Sequence, residues 1–289
     1  MPRKLSEALN QATGILADAG IGSARQDARL LLSHVSGFTR AQLVTESETS
    51  LDSAMQARFD DLIARRVGRE PVSHLLGSRE FWSLSFVVNK AVLDPRPDSE
   101  TLVNAALDLF PDMDAPLSVL DLGTGSGCLL LSVLNERPHA TGVGSDLSSS
   151  ALEVASLNAE RLGLARRARF VRGDWGAAIN GIFDLILCNP PYISSVDMVG
   201  LEPEVANFEP HLALEGGEDG LVAYRRLLPE IKRLLSPTGT GIVEIGAGQA
   251  ESVVRIMAEC GLALIEVRED LAGIKRCIVC KVDPIFTVT

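Results

Sequence analysis

The chain of 289 residues is long enough to bury a core of ordinary size, and it exceeds one average domain. Its 27 Lys and Arg residues stand against 38 Asp and Glu residues, which gives a formal net charge of −11 at pH 7. Affinity for a phosphate backbone comes largely from Lys and Arg side chains that release counterions. We therefore expect two domains, or one domain with an appendage, and no direct nucleic-acid partner.

The sequence carries no sign of a membrane anchor or a metal site. Its N-terminal segment lacks the apolar stretch of a secretory signal, and no window holds the roughly 18 apolar residues of a membrane span. We expect a soluble, cytoplasmic and monomeric protein. The five cysteines lie in or beside apolar segments, which favours reduced thiols. Cys277 and Cys280 follow a strand pattern that points them to opposite faces, and the four histidines are scattered, so no metal site is predicted.

Residues 4–77 follow a helical pattern, with apolar residues recurring at spacings of three and four. Ser23 to Gln26 has the S-x-x-Q form of a capping box that opens the second helix, and Gly37 stands where it can close that helix. We predict a small helical bundle as a first domain over residues 1–78. Such a bundle could simply add stability; we favour a role in docking a partner, because it adds surface away from any chemistry.

The pattern changes to that of a β-strand after the bundle. Apolar side chains alternate from Trp82 to Val88, and Asn-Lys at 89–90 can turn this strand into a second one. The sequence therefore predicts a β-hairpin linker over residues 79–96. Two prolines break the sheet after it, and Asp98 or Ser99 can cap the helix that follows.

Strands and helices alternate from residue 117 onward. This alternation predicts an α/β domain over residues 97–289, with a mostly parallel sheet and helices on both faces. The two closing segments, "ALIEVRE" and "KRCIVCKV", are separated only by "DLAGI". We expect them to form an antiparallel hairpin at the end of the sheet, which makes the last strand antiparallel.

A glycine-rich loop, "DLGTGSG" at residues 121–127, follows a short apolar strand and opens a helix. Glycines remove side chains where a ligand must approach the backbone. The G-x-G-x-G spacing differs from the G-x-G-x-x-G of dinucleotide sites, so a pyrophosphate is the less favoured ligand. The candidate binding residues of this loop are Gly123, Thr124, Gly125, Ser126 and Gly127.

Polar or aromatic residues also end the next two strands. Asp146 lies 19 positions after Gly127, close to where doubly wound folds place a carboxylate that binds ribose hydroxyls. Asp174 could accept a hydrogen bond from an adenine amino group, and Trp175 offers a flat face for the adenine ring. Because ligands of such sheets bind at the carboxyl ends of the strands, we predict a nucleoside pocket here.

The loop, Asp146 and the Asp174-Trp175 pair resemble, in this order, class I methyltransferases that use S-adenosylmethionine. The sequence "NPPY" at residues 189–192 resembles the signature of enzymes that methylate a planar nitrogen, either an adenine amino group or a glutamine side-chain amide. The side-chain oxygen of Asn189 and the carbonyl of Pro190 can accept the two N–H bonds of such a nitrogen, and Tyr192 can stack on the planar group. Pro190 and Pro191 stiffen this corner, so the acceptors are aimed before substrate arrives.

A narrower resemblance runs over roughly residues 71–281. Its segments, which include "PVSHLLGSREFWSLSFVVNKAVLDPRPDSETLV", "NFEPHLALEGGEDGL", "GIVEIGAGQ" and "EDLAGIKRCI", are similar to the peptide chain release factor glutamine methyltransferases. The resemblance implies N5-methylation of the glutamine in the Gly-Gly-Gln loop of bacterial release factors, with the N-terminal bundle helping to dock them. Asp94 stands where an apolar residue is expected, and we expect Arg96 and Glu100 to be structural and to pair with each other.

Three functions remain open at this stage. The favoured one is a protein glutamine methyltransferase acting on release factors, with a ribosomal protein glutamine as the related alternative. An adenine-N6 methyltransferase acting on RNA or DNA is the second, although the charge of −11 weighs against it. A nicotinamide oxidoreductase or a catalytically silent nucleotide-binding module is the third, and neither Tyr192 nor Tyr224 has the Lys four positions later that a Tyr-x-x-x-Lys pair requires.

Overall fold

The computed structural model describes residues 3–284 and divides them into two units. The helical unit comprises the chain up to Ser78 together with Glu202–Phe208. The sheet unit comprises Arg79–Leu201 and the chain from Glu209 onward. A short segment from the middle of the chain is thus part of the unit that the N-terminal residues form.

The secondary structure alternates as the sequence predicts from residue 117 onward. The helices are α1 (Leu5–Asp18), α2 (Ala24–Ser36), α3 (Gln42–Thr45), α4 (Ser53–Val67), α5 (Val72–Leu76), α6 (Glu100–Leu109), α7 (Cys128–Glu136), α8 (Ser149–Arg161), α9 (Pro203–Phe208), α10 (Val222–Leu234) and α11 (Ala250–Glu259). The strands are β1 (Ser78–Phe81), β2 (Leu84–Val87), β3 (Leu117–Leu122), β4 (Ala140–Asp146), β5 (Ala168–Arg172), β6 (Phe183–Cys188), β7 (Leu235–Glu244), β8 (Leu262–Glu269) and β9 (Lys275–Val282). Within residues 3–284, no helix combines the length and apolar character needed to cross a membrane.

The helical unit buries the apolar stripes of α1, α2 and α4 in one core, in which Leu16, Leu31 and Phe59 are fully buried. Gly37 closes α2 in the left-handed conformation, as predicted. The capping box predicted at Ser23 is wrong. The Ser23 hydroxyl donates to Asp27 Oδ2 at 2.9 Å and accepts from no N–H of the first turn, because its main chain (φ −91°, ψ 16°) lacks the extended conformation that aims an N-cap oxygen at those groups.

An ion-pair cluster joins α9 to the rest of the helical unit. Arg66 Nε of α4 donates to Asp27 Oδ2 of α2 at 2.8 Å, and both side chains are less than a tenth exposed. Arg66 Nη1 and Arg69 Nη1 lie 3.0 and 3.2 Å from Glu204 Oε1 of α9. Arg66 therefore satisfies two carboxylates, and its loss would leave Asp27 as a buried charge without this partner.

The sheet unit contains a seven-stranded sheet in the order β5-β4-β3-β6-β7-β9-β8. The pairs from β5 to β7 are parallel, and β9 pairs antiparallel with both β7 and β8. This arrangement confirms the predicted mostly parallel sheet with an antiparallel end. It also brings the carboxyl ends of β3, β4 and β6 together at one edge of the sheet. The loop at 123–127 follows β3, Asp146 is the last residue of β4, and Asn189 follows β6.

Apolar cores cover both faces of this sheet. One core packs α6 and α7 against side chains such as Val119 and Leu185, and the other packs α10 and α11 against Leu120 and Ile186. Successive residues of a strand therefore enter opposite cores. Cys277 lies in the first core and Cys280 in the second, as the strand pattern predicted.

The turn of the predicted hairpin lies elsewhere than expected. The strand predicted over residues 82–88 is present in part as β2 (Leu84–Val87). The turn predicted at 89–90 is wrong, because the partner strand β1 precedes β2 and the two meet at a two-residue turn formed by Trp82 and Ser83. Both residues have positive φ values of 52° and 58°, as a type I′ turn requires. The main-chain N–H of Trp82 donates to Glu100 Oε1 at 2.8 Å, and its indole N–H donates to Glu136 Oε1 at 3.2 Å. These two carboxylates stabilise a turn without the glycine or asparagine that usually marks one.

Candidate active site

A cavity of about 410 Å³ lies at the carboxyl edge of the parallel strands in the sheet unit. Nine of the residues selected from the sequence line it: Gly123, Thr124, Gly125, Ser126, Asp146, Asp174, Trp175, Asn189 and Pro191. Three others, Gly127, Pro190 and Tyr192, are not among its lining residues. The structure thus brings the glycine loop and the NPPY corner to one cavity.

Gly125 and Gly127 of the glycine loop both have positive φ values. Gly125 has a φ of 54°, and a Cβ built on it would meet no atom within 4 Å. Gly127 has a different role, since it begins α7 with a φ of 81° and a Cβ there would lie 3.1 Å from Leu131 Cδ1. Gly125 therefore leaves space beside the backbone, whereas Gly127 permits close packing of α7.

Asp146 supports the loop from the end of β4. Its Oδ2 accepts from the N–H of Gly125 and its Oδ1 accepts from the N–H of Ser148, both at 2.9 Å. Each carboxylate oxygen has two acceptor sites, so both oxygens retain capacity for a ligand hydroxyl. The carboxylate can stabilise the loop and bind a ribose at the same time.

Asp174 and Trp175 follow β5 and line the cavity. Asp174 forms an ion pair with Arg226 of α10, and both side chains are about half exposed. Trp175 has a φ of 50°, a left-handed conformation that is uncommon for a large side chain. Its ring lies against Gly123, where a Cβ would stand 3.4 Å from Trp175 Cζ3. The indole is therefore held beside the glycine loop, where it can border a planar ligand.

Asp121, which is not among the site residues predicted from the sequence, lies beneath the loop. It is 1% exposed, and its Oδ2 accepts from Thr124 Oγ1 at 2.7 Å. Its Oδ1 has no hydrogen-bond partner among the described residues. Burial raises the pKa of Asp121 to about 7, because the ionised form is poorly solvated there.

The NPPY corner is held by a chain of hydrogen bonds that the sequence did not reveal. Asn189 Nδ2 donates to Ser99 Oγ at 3.1 Å, and Ser99 Oγ donates to Glu244 Oε2 at 2.5 Å. Tyr192 Oη donates to Glu244 Oε1 at 3.2 Å, and Gln249 Nε2 donates to the Tyr192 carbonyl at 3.0 Å. Burial, reinforced by the charge of Glu244, raises the pKa of Tyr192 above its usual range. The hydroxyl of Tyr192, the residue predicted to stack on the substrate, thus points to Glu244, and Tyr192 does not line the cavity.

Arg96 borders the cavity beside this corner. Its Nη2 lies 2.7 Å from Glu209 Oε1, a carboxylate whose pKa is raised by burial. The predicted pairing of Arg96 with Glu100 is wrong, since Glu100 accepts from the N–H of Trp82. Asp94, which occupies an apolar position in the sequence pattern, is buried and lies 3.8 Å from Arg79 Nε.

A family profile and a solved structure are similar to the sheet unit and to the fold of this chain, respectively. A family profile described as "Methyltransferase small domain" matches residues 99–234. A solved structure of a methyltransferase from Pyrococcus furiosus has a TM-score of 0.52 and is 16% identical, over 80% of this chain and 99% of that one. At this identity the likeness concerns the fold alone, which this chain shares with that methyltransferase.

The curated relatives define the family within this class. A protein named release factor glutamine methyltransferase from Rhodospirillum rubrum is 45% identical over 277 residues, which is 96% of this chain and 85% of that protein. A protein of the same name from Caulobacter vibrioides is 45% identical over 279 residues, 96% of each chain. A profile described as "PrmC N-terminal domain" matches residues 7–77. The chain belongs to the family of release factor glutamine methyltransferases.

Proposed function

We propose that this enzyme transfers the methyl group of S-adenosylmethionine to N5 of a glutamine side chain in peptide chain release factors, within their Gly-Gly-Gln motif. The observation that carries the proposal is that Asn189 and Pro191 border the same cavity as the glycine loop and Asp146. A methyl donor held by the loop would therefore lie beside the corner that accepts a planar amide. The names of the relatives support the choice of substrate.

The lining residues fit S-adenosylmethionine. The space beside Gly125 can take the methionine portion, the free acceptor sites of Asp146 can take the ribose hydroxyls, and Trp175 can border the adenine. The bound cofactor supplies a methyl group on a positively charged sulfur. Because this charge already activates the methyl group, the proposal requires no metal ion.

The role of the protein in the transfer is to orient the amide nitrogen. The lone pair of a carboxamide nitrogen is delocalised, so the nitrogen reacts poorly unless its two protons are held away from the methyl donor. Asn189 Oδ1 and the carbonyl of Pro190 are the two acceptors that hold them, and the prolines fix the backbone between them. Such positioning can supply about 7 to 11 kcal/mol of the barrier.

The helical unit is, in this proposal, the docking domain for the release factor, with the boundary near residue 78 and a linker over residues 79–96. The profile that matches residues 7–77 supports an independent domain there. The reaction then takes place in the cytoplasm, where its substrate acts, between one copy of this chain and one release factor.

A label-transfer experiment tests the proposal. The purified protein is incubated with methyl-labelled S-adenosylmethionine and, separately, a release factor, the same factor with the motif glutamine changed to alanine, a ribosomal protein extract, and an adenine-containing oligonucleotide. We expect label on the unaltered release factor alone, with one added methyl group on the Gly-Gly-Gln peptide by mass spectrometry. Label on the oligonucleotide only, or equal label on the altered factor, would overturn it.

A further inference from the structure

We propose that Glu244 is a positioning residue that sets the amide orientation of Asn189 through the hydroxyl of Ser99, so that the active corner is formed only while Glu244 is ionised. This inference rests on the proposed function, because it concerns how Asn189 is prepared to accept a substrate N–H. It follows from counting the protons along one chain of hydrogen bonds.

The chain begins at Glu244, at the end of β7. This side chain is 1% exposed, and its two oxygens lie 2.5 Å from Ser99 Oγ and 3.2 Å from Tyr192 Oη. An ionised carboxylate has no proton and can only accept hydrogen bonds. Both hydroxyls must therefore donate to Glu244.

Ser99 then passes this polarity to Asn189. A hydroxyl has a single proton, and Ser99 uses it for Glu244. Toward Asn189, Ser99 Oγ can consequently only accept, so the group that faces it at 3.1 Å must be the amide nitrogen Nδ2. The other end of the Asn189 amide is Oδ1, which is left as an acceptor for the substrate.

Protonation of Glu244 reverses the chain. A protonated carboxyl can donate to Ser99 Oγ, which frees the Ser99 proton to donate to Asn189. The Asn189 amide then gains a hydrogen bond by turning its oxygen toward Ser99, and its NH₂ group would face the substrate. Two N–H donors cannot bond to each other, so this orientation does not bind the glutamine amide productively.

The surroundings of Glu244 place this change near neutral pH. Burial raises the pKa of Glu244 to about 7; Arg276 of β9 opposes the rise, and Asp98 adds to it. The other titratable groups that act near it are Tyr192, Tyr224, Cys128, Cys188 and Cys277, and burial raises the pKa of each of them well above neutrality. Among the residues that the structure describes, Asp121 is the other buried carboxyl whose pKa is raised to about 7, so it serves as a comparison in the test.

Substitutions at Ser99 test the relay. We expect Ser99→Ala to lower kcat about 10- to 100-fold, by analogy with the loss of groups that orient a metal ligand, while KM for S-adenosylmethionine changes less than about twofold. Ser99→Thr keeps the hydroxyl and should restore most of kcat. Ser132→Ala is the matched control, since Ser132 is fully buried in α7 and its hydroxyl has no partner among the described residues. Equal losses of kcat and cofactor affinity in Ser99→Ala would contradict the relay.

The pH profile tests Glu244 itself. The kcat of the wild type should rise with pH through an acid limb whose midpoint lies near pH 7. Glu244→Gln should lose this limb, because the glutamine amide does not titrate. Asp121→Asn should keep the limb. A limb that survives in Glu244→Gln, or that disappears in Asp121→Asn alone, overturns the assignment.

A readout without turnover separates this inference from the proposed function. The side-chain ¹⁵N–H signals of Asn189, identified by their loss in Asn189→Ala, should shift with pH around the same midpoint in the wild type and remain constant in Glu244→Gln. If no release factor is methylated but the signals titrate, the proposed function fails and the relay stands. If methylation occurs but the signals do not titrate, the relay fails alone.

Discussion

Replacement of Asp121 by Asn should make the sheet unit more stable at alkaline pH. Asp121 is 1% exposed, and one of its oxygens has no partner among the described residues. Its pKa rises from 3.8 in an unfolded chain to about 7 in the fold. The folded state therefore holds a proton between pH 4 and 7 that the unfolded state has lost, and stability falls as the pH rises through that window.

The magnitude follows from the same shift. At about 1.4 kcal/mol for each pKa unit, the rise from 3.8 to about 7 means that the ionised carboxylate costs on the order of 4 kcal/mol above pH 7. Asn cannot ionise, and its oxygen can still accept from Thr124 Oγ1. Its NH₂ group would replace the unpartnered oxygen, which costs about 1 to 3 kcal/mol if it stays unbonded. We expect a net gain of about 1 to 3 kcal/mol at pH 8. At pH 5 the wild type has lost only about 1.6 kcal/mol, so the difference lies within about 1 kcal/mol of zero.

Urea unfolding measured by tryptophan fluorescence is a suitable assay, because Trp82 and Trp175 are the two tryptophans of the chain and both belong to the sheet unit. Asp114→Asn is the control, since the Asp114 side chain is 94% exposed. The stability of Asp121→Asn relative to the wild type should rise by about 3 kcal/mol between pH 5 and 8, whereas the control difference stays near zero. A difference that is the same at both pH values would refute the reasoning.

Three further changes probe the corner, the loop and the helical unit. Asn189→Ala should lower kcat roughly 10²- to 10³-fold, as the loss of one preorganised polar contact does, and calorimetric titration should find cofactor affinity little changed. Gly127→Ala should destabilise the sheet unit by about 1 to 2 kcal/mol in urea, because its φ is 81° and the new Cβ approaches Leu131; a neutral result would mean that α7 shifts freely. Arg66→Ala should destabilise the helical unit by about 3 kcal/mol, since it leaves Asp27 a buried, uncompensated charge; hydrogen exchange in α2 and α4 should accelerate, and unchanged exchange would contradict that account.

Features that depend on neighbouring residues in the sequence were predictable. The strand and helix periods, the closure of α2 by Gly37 and the opposite faces of Cys277 and Cys280 are local, because they follow from backbone geometry alone. The glycine loop and Asn189 could be placed at one edge for a related reason: parallel strands end on the same side of a sheet. They meet at one cavity because β3 and β6, the strands that precede them, are neighbours in the sheet.

Features set by distant partners were not predictable. The turn at Trp82 and Ser83 has no glycine or asparagine, and the carboxylates that stabilise it come from α6 and α7. The sequence gives no signal for α9 in the helical unit either, since its ion pairs join residues more than 130 positions apart.

The relay behind the active corner shows what kind of signal the sequence still contains. Ser99 and Glu244 are 145 positions apart, so no spacing rule connects them. Yet Glu244 is an acidic residue inside the apolar run "GIVEIG", at a strand end beside the predicted cavity. A buried carboxylate must be hydrogen-bonded or neutralised, so such a residue has partners that the fold brings to it. A lone acid in a core strand therefore marks a site whose partners have to be sought in space, and here they lead to the amide that receives the substrate.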